Sequence, residues 1–423
     1  MNDKFSKSEI MIMDSIIYSP PDTKPALQRR LTLPLLILYG LGVTVGAGIY
    51  VLVGATAAKA GFYAPISFLL AAFVVAFTGF TYAELSTRFP VSAGEVAYVR
   101  NGFNSNTIAL IVGLMVVTSG VVSSATISIG AAEYLSHFIT ISPQILIVSI
   151  ILILGLVAVW GILQSVMLAA VFTLIEVSGL IFVIYYGFSI KPDLLNEIGT
   201  LIPPLEMGAW GGIVSAGLLA FFAFVGFEDI ANVAEEVKQP HKNMPKAIIF
   251  TLLIATALYL AVVSVVILVV PMSDLTTSAS PLALIFANAS PTIKGAFTLI
   301  AIIATVNGVL IQMIMASRVL YGMASKGNLP KVLAYIHPKT HTPLIATALV
   351  VGIILVLALF LPMAQLAEMT SQVVLLVFML VNLALIFIKL AKKPSELNYY
   401  KVPIIVPVIG FITSAILAFT GLM

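Results

Sequence analysis

Glu176 stands in the run Phe172-Thr173-Leu174-Ile175-Glu176-Val177-Ser178-Gly179, apolar on both sides and with no basic residue close in sequence. Keeping an ionised carboxylate in the middle of such a run costs at least ~2.5 kcal/mol. A carboxyl so placed is suited to taking up and releasing a proton as its surroundings change. Glu228 and Asp229 follow a second apolar run, Phe221-Phe222-Ala223-Phe224-Val225-Gly226-Phe227, and Glu235-Glu236 come soon after. Glu228 could receive a cationic group or a proton there, and it could also complement the positive end of a helix starting beside it. A third group is uncharged: Gly40, Gly42, Gly46, Gly48 and Gly54 crowd one apolar stretch. A glycine inside a helix costs about 1 kcal/mol relative to alanine. The crowding therefore marks close helix packing, as the Gly42/Gly46 pair would give, or a place where the helix opens.

Other chemistries lack their residues. There are no cysteines, and the four histidines, His137, His241, His337 and His341, fall in loops or at the ends of apolar runs. His337 and His341 have helical spacing but Pro338 intervenes, so no metal site and no cofactor are expected. No phosphate-binding loop is present to drive ATP hydrolysis, and no repeated filter or ring of charge suggests a channel. The chain is not expected to be an enzyme.

The elements that must hold these residues follow from composition. Hydrophobic residues make up 60% of the 423, charged residues only 9%, and the mean hydropathy is +1.12. A soluble domain carries about 25% charged residues, so a soluble enzyme, a nucleic-acid binder and a disordered chain are excluded. A helix crosses a ~30 Å hydrocarbon core with roughly 20 apolar residues. Gaps between charges mark such runs at 32–58, 60–83, 101–132, 207–227, 247–273, 295–317, 342–367, 369–388 and 402–423. Two more helices fit within 134–190, parted near Trp160-Gly161, so eleven spans are expected. The runs are solidly apolar, without the alternation of a barrel strand. The first 30 residues are polar and contain Pro20, Pro21 and Pro25, so a cytoplasmic tail is expected over 1–32 and no cleavable signal. With that tail inside, all but three of the 21 lysines and arginines face the cytoplasm, the exceptions being Lys59, Lys191 and Lys294. Positive charge marks the cytoplasmic side; an odd number of spans then leaves Met423 outside.

Spans 1 and 6 lie five helices apart, and each is interrupted by glycine. Interrupted segments at corresponding places in two halves of a chain mark the binding site of a transporter. Where a membrane helix unwinds, its bare N–H and C=O groups cost several kcal/mol each in lipid unless something satisfies them. Free N–H groups near Gly46-Ala47-Gly48 suit a carboxylate. Carbonyls near Thr44 and from Phe222 to Val225 suit an ammonium group. An α-amino acid carries both.

Four stretches then resemble the amino acid–polyamine–organocation transporter superfamily. They are Gly42 to Tyr50; Tyr82-Ala83-Glu84-Leu85-Ser86 with Phe89-Pro90-Val91-Ser92-Ala93-Gly94; Phe222 to Ile248; and Ser317 to Ala324 continuing through Gly327-Asn328-Leu329-Pro330 to Thr342-Pro343. The resemblance implies an all-α polytopic membrane protein with the LeuT-like five-plus-five inverted-repeat transporter fold, spans 1 and 6 discontinuous. The repeats would cover 33–190 and 211–391, joined by an outer loop at 191–210, with span 11 in 392–423. It implies that Ala47 and Gly48 offer N–H groups to a substrate carboxylate. Thr44, Phe222 and Val225 would offer carbonyls to its amine, with Phe222 as a lid. Val45, Gly46 and Gly226 complete the expected substrate site, and Glu176 and Glu228 are the expected proton or ion couplers. Proton-coupled members of the superfamily carry a lysine where Glu176 stands, and arginine/agmatine exchangers carry a tryptophan in span 8 that is missing here.

The expected activity is secondary active transport of amino acids by alternating access, coupled to protons, in the inner or plasma membrane with the N-terminus cytoplasmic. An amino acid/polyamine exchanger, a sodium-coupled carrier and a transporter-like nutrient sensor are the alternatives. The expected partners are the substrate, the proton and the lipid bilayer, with no nucleic acid; the oligomeric state is left open. Sodium would call on Thr305 and Ser317 of span 8, which lie roughly three turns apart. Glu84 and Glu95 are expected to pair with Arg88 or Arg100, and Glu133 lies near the outer end of span 3. Spans 3, 8 and 10 are expected to line the side-chain pocket, with Thr118, Ser119, Ser123, Asn307, Thr370 and Ser371 as candidates.

Overall fold

The structure is a computed structural model that describes residues 29, 31–91, 94–160, 166–278, 280–325, 327–392 and 399–420. Of the expected tail only Arg29, Leu31 and Thr32 are described, and Ser92-Ala93, Gly161 and Met423 lie outside the described residues. The described chain is helical throughout, and its one β-bridge joins Leu31 to Val237.

Each apolar run expected to cross the membrane is helical. Spans 2 to 5 are Ala64–Arg88, Asn106–Ser136, Pro143–Trp160 and Val166–Ile190. Spans 7 to 11 are Pro240–Val269, Pro291–Ser325, Leu344–Phe360, Met363–Leu390 and Ile405–Thr420. Eight helical segments among the described residues are long and apolar enough to cross a bilayer. Leu33–Thr44, Leu344–Phe360 and Ile405–Thr420 are shorter but equally apolar. Prolines open spans 2 and 7, where a helix tolerates them, and a further proline, Pro245, lies inside span 7. The long uncharged run that starts at Asn101 divides into a separate short helix, Gly94–Phe103, and span 3. Asn104 at φ 53° turns the chain between them, and the Ser105 hydroxyl caps span 3 by accepting from the Ile108 N–H at 3.3 Å.

Spans 1 and 6 are broken. Span 1 is two helices, Leu33–Thr44 and Ala47–Ala60, parted at Val45-Gly46. Span 6 is the helix Met207–Phe222 followed, after Gly226, by a 3₁₀ stretch over Phe227–Glu236. Span 1 packs on span 6, span 2 on span 7, and span 3 on span 8, the five-apart pairing that interleaved repeats produce. Spans 4, 5 and 9 lie at the periphery. Leu349, Ile353, Val356 and Phe360 form an exposed stripe at helical spacing on span 9, and Leu152, Leu156 and Trp160 form another on span 4. Such faces need an apolar solvent, and a lipid bilayer supplies it.

Candidate functional site

The two breaks touch each other reciprocally. A Cβ added at Gly48, in the first turn after the span 1 break, would lie 2.7 Å from the Ala223 Cα, just past the end of the first span 6 helix. A Cβ added at Gly226 would lie 2.6 Å from the Val43 carbonyl oxygen, and Gly226 holds φ at +121°, a conformation open to glycine. Both glycines are required by backbone-to-backbone approach. Gly46 differs: its nearest neighbour would be an ordinary 3.5 Å away.

Tyr259 of span 7 pins the breaks together. Its hydroxyl lies 2.7 Å from the Thr44 carbonyl and 2.8 Å from the Ala223 carbonyl, so one hydrogen serves two oxygens. Within span 6 the break turns tightly, the Val225 N–H donating to the Phe222 carbonyl at 3.1 Å. A carbonyl oxygen has two lone pairs, so Thr44 and Phe222 can each accept once more. Glu228 folds back, and its carboxylate accepts from the Gly226 N–H at 2.9 Å. It therefore satisfies a donor that the break sets free. Sequence reasoning missed Tyr259; the available signal was a tyrosine deep in an apolar span, whose hydroxyl must find a partner.

A cavity opens between the breaks and spans 3 and 8. Gly42, Val43, Thr44 and Gly48 line it from span 1, and Phe222 and Val225 from span 6. Ser123 and Ile127 of span 3, with Gly308, Ile311 and Gln312 of span 8, complete the wall. The cavity is small, about 20 Å³. Of the expected substrate residues, Thr44, Gly48, Phe222 and Val225 border it directly, while Val45, Gly46 and Gly226 are not in its wall; Ala47 begins the resumed span 1 helix. Of the six side-chain candidates only Ser123 borders it. Thr118 is exposed on the outside of span 3, and Thr370 and Ser371 of span 10 lie elsewhere in the core.

Glu176 lies one layer behind, fully buried. Its Oε1 accepts from the Asn307 amide at 2.9 Å, while its Oε2 has no hydrogen-bond partner. Asn307 precedes the cavity residue Gly308. Span 5 is tied to both halves of span 1: Thr173 donates to the Leu38 carbonyl at 3.0 Å, and Tyr50 donates to the Glu176 carbonyl at 2.6 Å. Thr305 turns its hydroxyl back onto the Ala301 carbonyl at 2.8 Å; Ser317 does the same with Ile314.

Of the two acids expected to pair with Arg88 or Arg100, Glu84 does meet Arg88 and Glu95 meets neither among the described residues. Glu84 is completely buried; it accepts from Lys389 at 2.7 Å and the Val402 N–H at 2.8 Å, with Arg88 at 3.9 Å. Glu95 makes no ion pair with Arg88 or Arg100 among the described residues. It is buried beside Tyr82 and Asp229, and burial pushes its carboxyl up to about 7.

A family model described as amino acid permease matches residues 31–423. The chain is 28% identical over 405 residues to a branched-chain amino acid permease of Bacillus subtilis (strain 168), covering 89% of this chain and 84% of that protein. It is 30% identical over 416 residues to a methylthioribose transporter of the same organism, with 92% and 87% covered. It is 29% identical over 398 residues to the mitochondrial cationic amino acid transporter 3 of Arabidopsis thaliana, covering 88% of this chain but 64% of that longer protein.

Proposed function

Because the chain belongs to the amino acid permease family, a family of membrane transporters and not of enzymes, we propose that it carries an α-amino acid across a cell membrane by alternating access, together with a proton. The observation that carries this reading is the reciprocal contact of two broken helices beside a cavity. The N–H groups of Ala47 and Gly48, at the start of the resumed span 1 helix, bind the substrate carboxylate. The carbonyls of Thr44, Phe222 and Val225 accept from its ammonium group, and Phe222 closes over it. The relatives are named for branched-chain amino acids, cationic amino acids and methylthioribose, so their names select no single side chain.

Glu176 carries the proton. Its carboxyl is buried with no cation beside it among the described residues, and the Asn307 amide it touches adjoins the cavity wall, so a change in its charge reaches the substrate site through one residue. Sodium is disfavoured at this place, because Asn307 presents its N–H₂ to the carboxylate and the Thr305 hydroxyl is turned away. Glu228 is assigned the upkeep of the span 6 break. The distribution of basic residues supports a cytoplasmic N-terminus.

The test is uptake of labelled amino acids by the purified chain in liposomes, with an inward proton gradient. Accumulation above the external concentration is expected, faster at acidic external pH. The Glu176→Gln variant should transport at a rate that no longer varies with pH. An unchanged pH dependence in that variant removes Glu176 from the coupling, and failure to accumulate any amino acid removes the carrier itself.

A further inference from the structure

Polar side chains on a membrane helix ordinarily turn back onto their own backbone, and span 3 follows that habit almost throughout. Ser119 donates to the Val116 carbonyl, Ser124 to Gly120, Thr126 to Val122 and Ser128 to Ser124, all between 2.7 and 2.9 Å. Ser123 does not; it has no hydrogen bond among the described residues and borders the cavity instead. Across from it, on span 8, Gln312 is likewise without a side-chain hydrogen bond and borders the same space. The Thr44 hydroxyl, at the edge of the span 1 break, is buried without a partner as well. Thr44 is 2% exposed, Ser123 3% and Gln312 6%. Each buried polar group left unmatched costs about 1–3 kcal/mol, and most buried polar groups are matched. Ser123 and Gln312, both on the wall of one small space and neither turned back onto a backbone carbonyl, point to a partner that enters it.

The wall also limits what that partner can be. None of the described residues lining the cavity is charged. Glu228, the nearest acid in sequence, is engaged by the Gly226 N–H. A guanidinium or ammonium on the substrate side chain would be buried here without a counter-charge, at a cost of several kcal/mol. A purely aliphatic side chain would fit Ile127 and Ile311 but would leave Ser123 and Gln312 unmatched. Resting on the carrier reading above, we propose that Ser123 and Gln312 select a substrate whose side chain is uncharged and hydrogen-bonding, an amide or hydroxyl such as that of glutamine, asparagine, threonine or serine. Thr44 is nearer the break and serves the substrate's own amino or carboxylate group. The Gln312 amide, both donor and acceptor, matches a side-chain amide in either sense; the Ser123 hydroxyl adds a second contact.

The experiment is a thermal-shift titration of the purified full-length chain with L-glutamine, L-threonine, L-leucine and L-arginine, repeated on Gln312→Leu and Ser123→Ala. The wild type should bind glutamine or threonine at least about tenfold more tightly than leucine, the worth of one matched buried hydrogen bond, and arginine most weakly. Gln312→Leu should reverse the order of glutamine and leucine, and Ser123→Ala should narrow the gap. Arginine as the tightest ligand overturns the proposal, as does a leucine preference in the wild type or a Gln312→Leu variant with the wild-type order. In those outcomes amino acid binding itself persists and the carrier reading stands. Binding of none of the four overturns both.

Discussion

At Gly48 one missing methyl group decides whether the site exists. The adjoining backbone at Ala223 would be 2.7 Å from a Cβ there, closer than real Cβ atoms come, and a backbone atom cannot swing aside as a side-chain tip can. Gly48→Ala should therefore separate the breaks and lower substrate affinity by at least about tenfold, while Gly46→Ala, with ordinary clearance, should leave affinity within a few-fold. Titration of both variants with the preferred amino acid checks this; equal affinities would show that the contact between the breaks is not needed. These glycines were legible in the sequence because their cost is local: a helix that keeps several of them has a reason to do so. Tyr259 and Gln312 were not legible. Tyr259 reaches the Thr44 carbonyl across 215 positions of chain, and no local pattern sets apart a tyrosine that pins two breaks from one that packs. Ser123 was one of six candidates of like type, and only the rotation of span 3 about its axis turned it toward the cavity.

Among the elements, spans 2, 10 and 11 are joined by polar groups rather than by packing alone. Asn382 of span 10 donates to Thr78 at 3.0 Å and accepts from Thr81 at 2.7 Å, both on span 2. At the C-terminal end of span 10, Lys389 donates to Glu84 and to the Val402 carbonyl, each at 2.7 Å. Arg88 meets the Tyr399 hydroxyl at 2.5 Å with its guanidinium 4.3 Å from the ring centre. The segment leading into span 11 is thus held onto span 2. Removing one partner of a buried ion pair costs about 3–5 kcal/mol because the other charge is stranded. Lys389→Met should therefore lower the unfolding midpoint in detergent markedly, and adding Glu84→Gln should recover much of the loss. A double variant no more stable than Lys389→Met alone would show that the pair is not what holds these spans. The sequence offered Arg88, four residues from Glu84, which does pair with it at 3.9 Å, but could not offer the closer Lys389, 305 positions away.

On the scale of the whole molecule, stability carries a pH signature. Glu95 sits in the short helix Gly94–Phe103, outside the spans, where burial pushes its carboxyl from 4.5 up to about 7 and the neighbouring Asp229 carboxylate adds to the rise. The folded chain thus holds the proton more tightly than the unfolded chain does. The stability this proton contributes is complete below about 4.5 and is lost as the pH rises through about 7. Glu95→Gln keeps the uncharged form at every pH. Its unfolding midpoint, measured against the wild type, should rise between pH 5 and pH 8; a constant difference would mean that Glu95 does not titrate in that window. The helix bearing Glu95 is tied to the stretch after the span 6 break through the Gly94 N–H, which donates to Asn232 at 3.0 Å. Its charge therefore bears on an element of the site as well as on the fold.

The sequence by itself determined the class of the molecule, the placing of its helices and the two interruptions. Each of these rests on transfer free energies and backbone preferences summed over neighbouring residues, which a chain displays in order. Tertiary structure alone decided that the interruptions meet face to face, that Glu228 closes one of them while Glu176 stands behind Asn307, and that Ser123 and Gln312 face a common space. Those relations depend on how far each helix is rotated and shifted against partners a hundred or more residues away. Many residues of the same type meet the local requirement equally well, so the choice among them is made only when the helices pack.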